Sequence, residues 1–366
     1  MADIYLDRDA SGADDGTSEA DAYTSPTNAG VLAVTAGDTL HIAKGTADYT
    51  PSAEMVFTGT GSAVSPAMIV GYNTSFVIDG SRPVFDGAST RSMGFNLGTT
   101  QDYYHIYNIE WKNNTAHGIT GSSSTDGCVL INCWAKDNGA NGINGFRYFR
   151  FLQCISSGNA VGIKNGANAG YMGGLLVYDN SSNGVEVSTS IACFITDCVS
   201  YDNTGYGIRA NHLTIMKNCV LHGNTDDNAY TLSNNALFDG CRITGSGAYG
   251  IDATATAKST YVINSYIPAG GEALANTSGT VNGTIITFAD KMTDLNDLAG
   301  TDTDGGYEDS TSDDYNIDST ASVYNGSIDV GDGVNFKYVT AGLVPTASGG
   351  GGGGGGGALI DGDLVQ

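Results

Sequence analysis

Apolar and polar positions recur through the middle of the chain with a period of 21 to 24 residues. The recurring phrase reads C-x-x-x-(D/G)-N-x-x-x-G-I, and its first position is the anchor of each repeat. The anchors are Ile109, Cys133, Cys154, Leu175, Cys198, Cys219, Cys241 and Ser265. A fixed period of this length predicts stacked structural repeats.

Two further columns are apolar or small at a constant offset from the anchor. Three positions before it stand Ile106, Leu130, Phe151, Met172, Ile195, Met216, Phe238 and Val262. Two positions after it stand Trp111, Ala135, Ser156, Val177, Ser200, Leu221, Ile243 and Ile267. About 22 residues suit one coil of a parallel β-solenoid, whose strands stack about 4.8 Å apart. We therefore expect both columns to face the core.

Asparagine stands five positions after six successive anchors. The column is Asn114, Asn138, Asn159, Asn180, Asn203 and Asn224. A side-chain amide both donates and accepts hydrogen bonds, so stacked asparagines can bond from one coil to the next. Asparagine also tolerates the left-handed backbone of a sharp turn. The sequence therefore predicts an asparagine ladder at a turn.

These stacked elements resemble the right-handed parallel β-helix of the pectate-lyase-like superfamily, most strongly over residues 100–275. The resemblance implies an all-β, single-stranded right-handed parallel β-helix with a short N-terminal helical cap. Ser25 and Pro26 fit a helix N-cap followed by proline at the first helical position, with the helix running to about Thr35. Residues 314–317 and 328–331 resemble a degenerate closing coil.

We divide the chain into three parts on this basis. Residues 1–45 would hold an opening strand and the capping helix, residues 46–345 the β-helix with its closing coils, and residues 346–366 a C-terminal tail. The tail contains nine consecutive glycines at 349–357 and ends in an apolar segment that includes Leu359 and Ile360. It is either a flexible linker or a segment clamped in an assembly.

The chain carries a net charge of −24 and has a pI near 4.1. This charge argues against a nucleic-acid partner, because neutralising phosphates requires Lys and Arg, and against anionic membranes for the same reason. The start Met1-Ala2-Asp3 shows no basic region followed by an apolar region, so we expect no Sec signal peptide. The chain contains no run of 18 apolar residues, so we predict no membrane-spanning helix.

The seven cysteines fit no metal-binding pattern. Five of them are anchors, and Cys128 and Cys193 each lie five positions before an anchor. Buried thiols behave as small hydrophobic groups, so we expect a reduced core stack. A disulfide between adjacent coils, such as Cys198–Cys219, is the alternative.

Candidate chemistry lies beside the asparagine column. Asp179 and Asp202 stand four positions after anchors of adjacent coils, so their backbones should lie about 5 Å apart. Such a carboxylate pair would suit glycoside hydrolysis or calcium binding. Tyr178 and Tyr201 should stack beside them as an exposed pair able to hold a sugar ring. The competing interpretation is ordinary turn chemistry, since Asp before Asn favours turns.

Pectate-lyase-like enzymes use an aspartate cluster with Ca²⁺ and an arginine base, as the resemblance implies. Four arginines are available on the repeats, but none falls in a motif of the superfamily: Arg147, Arg150, Arg209 and Arg242. Asp302, Asp304 and Asp309 form a weak calcium candidate that lacks the complete pattern of a calcium loop. We expect no obligatory cofactor, with Ca²⁺ as the one candidate.

Two functional hypotheses follow. The first is a non-enzymatic structural or adhesive protein of a bacteriophage virion, such as a decoration, fibre or tailspike-like component on the particle surface. It would contact other virion proteins through its tail, could contact a surface glycan, and could form a homo-oligomer by analogy with tailspikes. The second is an extracellular or cell-surface polysaccharide lyase or glycoside hydrolase. The first is favoured, because fold alone does not imply an enzyme.

Overall fold

The computed structural model describes residues 1–165, 169–187, 193–210, 214–231, 236–245, 247–252, 260–263, 265, 274–275, 307–309 and 314–317. Through these residues the chain forms a right-handed parallel β-solenoid with three sheets and one short helix, α1 (Ala29–Leu32). The predicted fold class is confirmed.

Sheet 1 has 11 parallel strands. They are β1 (Asp3–Leu6), β2 (Thr39–Ala43), β4 (Ala67–Tyr72), β7 (Tyr104–Tyr107), β10 (Val129–Ile131), β13 (Phe149–Leu152), β16 (Gly170–Gly173), β19 (Cys193–Thr196), β22 (Thr214–Lys217), β25 (Ala236–Asp239) and β28 (Thr260–Ile263).

Sheet 2 has eight parallel strands. They are β5 (Val84–Asp86), β8 (Glu110–Lys112), β11 (Trp134–Lys136), β14 (Ile155–Ser157), β17 (Leu176–Tyr178), β20 (Val199–Tyr201), β23 (Val220–His222) and β26 (Arg242–Thr244).

Sheet 3 has ten parallel strands. They are β3 (Met55–Val56), β6 (Met93–Asn96), β9 (His117–Thr120), β12 (Asn141–Asn144), β15 (Val161–Asn165), β18 (Val185–Val187), β21 (Ile208–Ala210), β24 (Ala229–Thr231), β27 (Ile251–Asp252) and β29 (Leu274–Ala275). Each coil passes through sheets 1, 2 and 3 in turn, as in β13, β14 and β15.

The interior is built from the two predicted apolar columns. Every residue of the first column from Ile106 to Phe238 is fully buried, and the second column is buried from Trp111 to Ile243. Strands pair in register from coil to coil, for example Phe151 with Met172 and Met172 with Ile195. Because equivalent residues of successive coils pair with each other, one apolar position in each repeat forms a continuous apolar column in the core.

The asparagine ladder is confirmed and links the coils at the turn between sheets 2 and 3. Each ladder asparagine donates from Nδ2 to Oδ1 of the next, as from Asn138 to Asn159 at 2.9 Å and from Asn180 to Asn203 at 2.8 Å. The same Oδ1 atoms accept backbone N–H groups, as from Asn180 N to Asn203 at 3.2 Å. Buried backbone donors at the turn are thereby satisfied.

The left-handed residue of this turn is the one before the ladder asparagine, which corrects our expectation for the asparagine itself. Asp137, Asp179 and Asp202 have φ of 53°, 53° and 51°, and Gly158 has φ of 67°. Glycine adopts this region freely, and Asp tolerates it. The turn geometry therefore explains why the motif alternates between Asp and Gly at this position.

The glycine before the isoleucine of the motif is required by close packing against the ladder. A Cβ atom on Gly162 would lie 2.5 Å from Val177 Cγ1, 2.6 Å from the Gly184 carbonyl oxygen and 2.9 Å from Asn180 Nδ2. Gly184 has the same environment one coil later, where a Cβ would meet Ser200 Oγ and Asn203 Nδ2. The close approach of the ladder asparagines therefore requires glycine at this position of the repeat.

The N-terminal cap differs from the prediction. Helix α1 begins after Asn28, whose side chain accepts from Gly30 N at 2.8 Å, so Ser25 and Pro26 precede the helix in a turn. The helix ends at Leu32, before Thr35. The free edge of β1 is covered by an extended segment instead, since Tyr5 N donates to Gly16 O and Tyr23 N donates to Tyr5 O. Covering the edge blocks further strand pairing there.

All seven cysteines are buried free thiols, as the reduced-stack hypothesis expects. The anchor thiols donate to carbonyl oxygens of their own coil and of the preceding one; Cys219 Sγ contacts Lys217 O at 3.3 Å and Ile195 O at 3.5 Å. Burial raises the pKa of the Cys128 and Cys193 thiols to about 12. These thiols are therefore protonated at neutral pH.

The last described strands, β30 (Tyr307–Asp309) and β31 (Asp314–Ile317), pair antiparallel. This differs from the expected parallel closing coil, and only four residues separate the two strands, which is too few for a parallel crossover. The segment 328–331, the polyglycine tract and the C-terminal tail lie outside the described residues. The predicted boundaries after residues 45 and 345 stay predictions.

Candidate functional site

The structure places Asp179 and Asp202 on adjacent coils, at the turn between sheets 2 and 3. Both residues are exposed, and both have a left-handed backbone conformation. The Asp202 carboxylate lies over the next coil, since a Cβ on Gly223 would be 2.6 Å from its Oδ1. Both residues make interactions with other parts of the chain. Their position is accounted for by turn geometry, and a catalytic or metal-binding role for them stays a prediction.

Tyr178 and Tyr201 stack as expected, with ring centroids 5.0 Å apart and planes 7° from parallel. The expectation that both rings are exposed is wrong for Tyr201, which is only 5% exposed. It belongs to an apolar cluster on the outer side of sheet 2 with Ile155, Leu176, Val199 and Val220. Because these neighbours surround it, the stack presents little of the Tyr201 ring to a ligand.

The calcium candidate cannot be located from the described structure. Asp302 and Asp304 lie outside the described residues, and Asp309 is described only through the backbone of β30. Among the described residues, no group of three or more His, Cys, Asp and Glu side chains is placed to hold a metal ion. Calcium binding therefore stays a prediction.

A different set of side chains forms a continuous strip on the outer face of sheet 3. Its eight rungs are paired in register from coil to coil, and every rung can form hydrogen bonds. We call this the polar strip; it consists of Asn96, Thr120, Asn144, Lys164, Glu186, Arg209, Tyr230 and Asp252. Their neighbours in the strands, such as Ile143, Ile163 and Ile208, are fully buried. Because side chains alternate across a strand, the polar strip faces outward.

The centre of the polar strip is an ion ladder. Glu186 lies between two cations, with its Oε1 3.1 Å from Lys164 Nζ and 3.7 Å from Arg209 Nη1. Its second oxygen accepts from Asn183 Nδ2 at 3.2 Å. The carboxylate is mostly buried, whereas the two cations are about one-third exposed. The ladder therefore holds two cationic groups in fixed positions at the surface.

A tyrosine pair lies directly beside the ladder. Tyr230 is a rung of the polar strip, and Tyr206 stacks on it with ring centroids 4.6 Å apart and planes 10° from parallel. Both rings are partly buried. The backbone N–H of Tyr206 donates to Asn183 Oδ1 at 3.1 Å, which fixes the start of β21. The pair thus gives an ordered aromatic surface next to charged groups.

Asp227 lies one coil above Tyr206 and is 4% exposed. Its Oδ1 accepts the backbone N–H of Tyr249 at 2.9 Å. Burial raises the pKa of the Asp227 carboxyl to about 6, and the nearby carboxylates of Asp252 and Asp226 add to the effect. Burial, and after it the carboxylate of Asp227, raises the pKa of Tyr206, and Asp226 and Asp252 add to the effect. Asp227 is therefore a carboxyl group that can gain or lose a proton near neutral pH.

The sequence-based search missed this site because the rungs share no residue type. The only feature of the sequence that links the rungs is their nearly constant distance from the anchor of each repeat. Glu186, Arg209, Tyr230 and Asp252 each stand eleven positions after an anchor, and Lys164 stands ten after Cys154. Every residue at that phase can form hydrogen bonds, whereas the preceding position of the repeat is apolar.

Among solved structures, the chain is similar to a pectate lyase, Pel9A, with a TM-score of 0.53 and 16% identity over 77% of this chain and 78% of that one. It is also similar to an alginate lyase from Paenibacillus sp. str. FPU-7, with a TM-score of 0.50 and 13% identity over 67% of this chain and 92% of that one. The chain has the right-handed parallel β-helix fold of these proteins. Identities this low establish the fold alone.

A protein of Geobacillus virus E2, ORF18, is similar over 67% of this chain and 52% of that one, at 12% identity and a TM-score of 0.42, which is too low to support an argument. No family model matches the sequence, and no curated protein matches it. Within the described part of this β-helix, no helix is long and apolar enough to cross a membrane.

Proposed function

We propose that this β-helix is a non-enzymatic, adhesive protein that binds a polysaccharide along the polar strip of sheet 3. The observation that carries the proposal is the stacked Tyr206–Tyr230 pair beside the Lys164–Glu186–Arg209 ladder. Sugar rings have apolar faces that pack on aromatic rings and hydroxyl groups that bond to charged and amide groups. The strip offers both kinds of group.

The dimensions of the polar strip suit a polymer. Eight rungs at the interstrand spacing extend over about 34 Å. An extended polysaccharide could therefore contact several coils at once, and many weak contacts would add along the strip. The strip includes two cations, Lys164 and Arg209, and two carboxylates, Glu186 and Asp252, so it is formally neutral. Its neutrality lowers, at this face, the repulsion that the net charge of −24 imposes on an acidic glycan.

The test is binding of neutral and acidic polysaccharides, measured by affinity electrophoresis and calorimetry with the purified chain. We expect at least one polysaccharide to bind, and a Tyr206→Ala/Tyr230→Ala variant to lose at least tenfold in affinity. The matched control is Asp179→Gly/Asp202→Gly, which changes exposed residues at the neighbouring turn and should keep wild-type affinity. Loss of binding in the control and not in the tyrosine variant would overturn the proposal.

A second candidate function, polysaccharide lyase or glycoside hydrolase, is favoured by Asp227. A carboxyl with a pKa near 6 suits general acid–base catalysis at neutral pH. Asp227 also lies close enough to Tyr206 of the tyrosine pair to influence the pKa of that tyrosine, so it adjoins the place where a bound sugar would lie. The similarity to a pectate lyase and an alginate lyase supports this alternative only as an analogy of fold.

Incubation with the same polysaccharides, with and without Ca²⁺, separates the two functions. New reducing ends or absorbance from unsaturated uronate would establish an enzyme, and their loss in Asp227→Asn would assign the carboxyl. Their loss in Asp179→Ala/Asp202→Ala would instead assign the pair expected from the sequence. Binding without either product supports the adhesive role.

Placement on a virion surface and contacts with other virion proteins through the tail are part of the same proposal, and an extracellular location is the alternative to it. They rest on the glycine tract at 349–357 with the apolar segment that follows it, and on the acidity of the chain. Mass spectrometry of purified phage particles from the source culture tests this part. Detection of the chain in stoichiometric amounts supports it, and detection only in the culture medium contradicts it.

A further inference from the structure

The outer face of sheet 1 carries apolar side chains that are more exposed than the buried apolar cluster on the outer side of sheet 2. Strands β10 to β25 place large apolar side chains outward there, at positions that alternate with the fully buried core column. We call this set the apolar face; it consists of Val129, Leu152, Tyr171, Phe194, Ile215 and Leu237. Phe194 is 45% exposed and Tyr171 is 37% exposed, while the others are partly buried.

Tyr171 is held flat against the sheet. A Cβ on Gly173 would lie 2.9 Å from the Tyr171 Cε1 atom, so the ring covers this glycine. The Tyr171 hydroxyl lies 2.8 Å from Thr196 Oγ1 on the next strand, which is a hydrogen bond between coils. The ring therefore adds a rigid, level patch to the face, and little side-chain entropy remains to be lost on contact.

The formal charge of this face also differs in sign from the net charge of the whole chain. The outward positions of β7 to β25 include two cations, Arg150 and Lys217, and one carboxylate, Asp239, so their formal charge is 1 + 1 − 1, or +1. The whole chain carries −24. Two copies of such an acidic chain repel each other, and they can approach with least repulsion through a face without net negative charge.

We propose that the apolar face of sheet 1 is a self-association surface, on which a second copy of this chain packs sheet against sheet. Flat sheets pack about 10 Å apart through interdigitating side chains. A second copy supplies a flat apolar face of the same length and the same charge. Extended exposed apolar patches are unusual on monomeric proteins, and on this chain they are explained by a partner.

The proposal is independent of polysaccharide binding, since the polar strip lies on sheet 3. Sedimentation velocity of the intact chain over a concentration series, between about 1 and 100 µM, tests it. We expect a species heavier than the 37.6 kDa chain that increases with concentration. A chain that stays monomeric across the series would overturn the proposal and leave the face to some other partner.

Two variants locate the surface. Phe194→Asp adds a negative charge at the most exposed apolar position of the face and should shift the association constant at least tenfold towards monomer. Val56→Asp, at an exposed position of β3 in sheet 3, also replaces an apolar side chain by a carboxylate and should leave association unchanged. Circular dichroism verifies that both variants are folded. Equal effects of the two variants, or no effect of Phe194→Asp on an associating chain, would contradict the assignment.

Discussion

The asparagine ladder and the polar strip are both columns of polar side chains that run along the solenoid, but they lie in opposite environments. Asn114 to Asn224 are buried, and each amide bonds to an adjacent coil. The rungs of the polar strip vary in type, and all of them except the buried Thr120 and Glu186 remain partly exposed. The ladder has the same residue type in every coil, and its hydrogen bonds stabilise the stack of coils. The polar strip has a different residue type in most coils, and its partly exposed groups can bind a ligand.

This contrast leads to a general expectation for the molecule. Substitutions in the ladder should lower the free energy of unfolding, and substitutions at the exposed rungs should lower binding with little effect on stability. Four predictions test the contrast, in order of expected size.

The largest effect is expected for Asn180→Ala. Asn180 accepts from Asn159 N at 3.0 Å and from Asn159 Nδ2 at 3.2 Å, and it donates to Asn203. Removing the amide leaves the buried Asn159 N–H without its acceptor, at about 1–3 kcal/mol, and removes the bonds that Asn180 donates to Tyr178 O and Asn203 Oδ1, at about 1 kcal/mol each. Unfolding should therefore become easier by about 3–4 kcal/mol. Chemical denaturation measures this. The exposed neighbour Ser181→Ala is the control, and a similar loss there would remove the special role of the ladder.

The next effect concerns pH and Asp227. Its raised pKa means that the folded protein binds this proton more tightly than the unfolded chain. The contribution to stability is therefore fully present below about pH 4 and is lost as pH rises through about 6, and it amounts to at most about 3 kcal/mol. Asp227→Asn keeps an acceptor for Tyr249 N and should abolish this part of the pH dependence. Parallel stability curves for the two proteins between pH 4 and 7 would contradict it.

A smaller loss is expected for Gly162→Ala. The added methyl would overlap Val177 and the Gly184 carbonyl oxygen, and overpacking of this kind costs about 1–3 kcal/mol. Thermal and urea unfolding measure the loss. Gly174→Asn serves as the control, because Gly174 has φ of 61°, which asparagine tolerates, and an added Cβ would meet only Gln153, at an ordinary contact distance of 3.6 Å. Wild-type stability of Gly162→Ala would show that the glycine column is not set by packing.

The smallest effect is expected for Asp179→Gly. Glycine adopts the left-handed backbone at this position without strain, so the stability should change by less than about 1 kcal/mol. Asp179→Val should destabilise by about 1–2 kcal/mol, because a β-branched residue resists φ near 53°. Urea unfolding compares the two. A large loss for glycine would show that the carboxylate matters more than the turn.

The sequence predicts the interior far better than the surface, for a physical reason. Each interior column is subject to the same constraint in every coil, so Asn138 and Asn203 are the same residue type and Phe151 and Ile195 are both apolar. The start of α1 was misplaced because Asn28, and not Ser25, makes the capping bond with Gly30. The burial of Tyr201 depends on neighbours from several coils.

The polar strip, in contrast to the interior columns, could not be predicted from the repeat. Lys164, Glu186 and Arg209 form one ion ladder although their residue types differ, and only coil-to-coil register brings them together. Asp227 gains its raised pKa from burial, which no local pattern reveals. Structure was therefore needed to find the site, whereas the repeat alone was enough to predict the fold.

The most direct test of the account is hydroxyl-radical footprinting of the chain with and without a bound polysaccharide, read by mass spectrometry. The account predicts that the ligand protects Tyr206 and Tyr230 from oxidation and leaves Tyr171 and Phe194, on the outer face of sheet 1, as reactive as before. Protection confined to Tyr178 and to the turn at Asp179 and Asp202, with Tyr206 and Tyr230 unchanged, would contradict it.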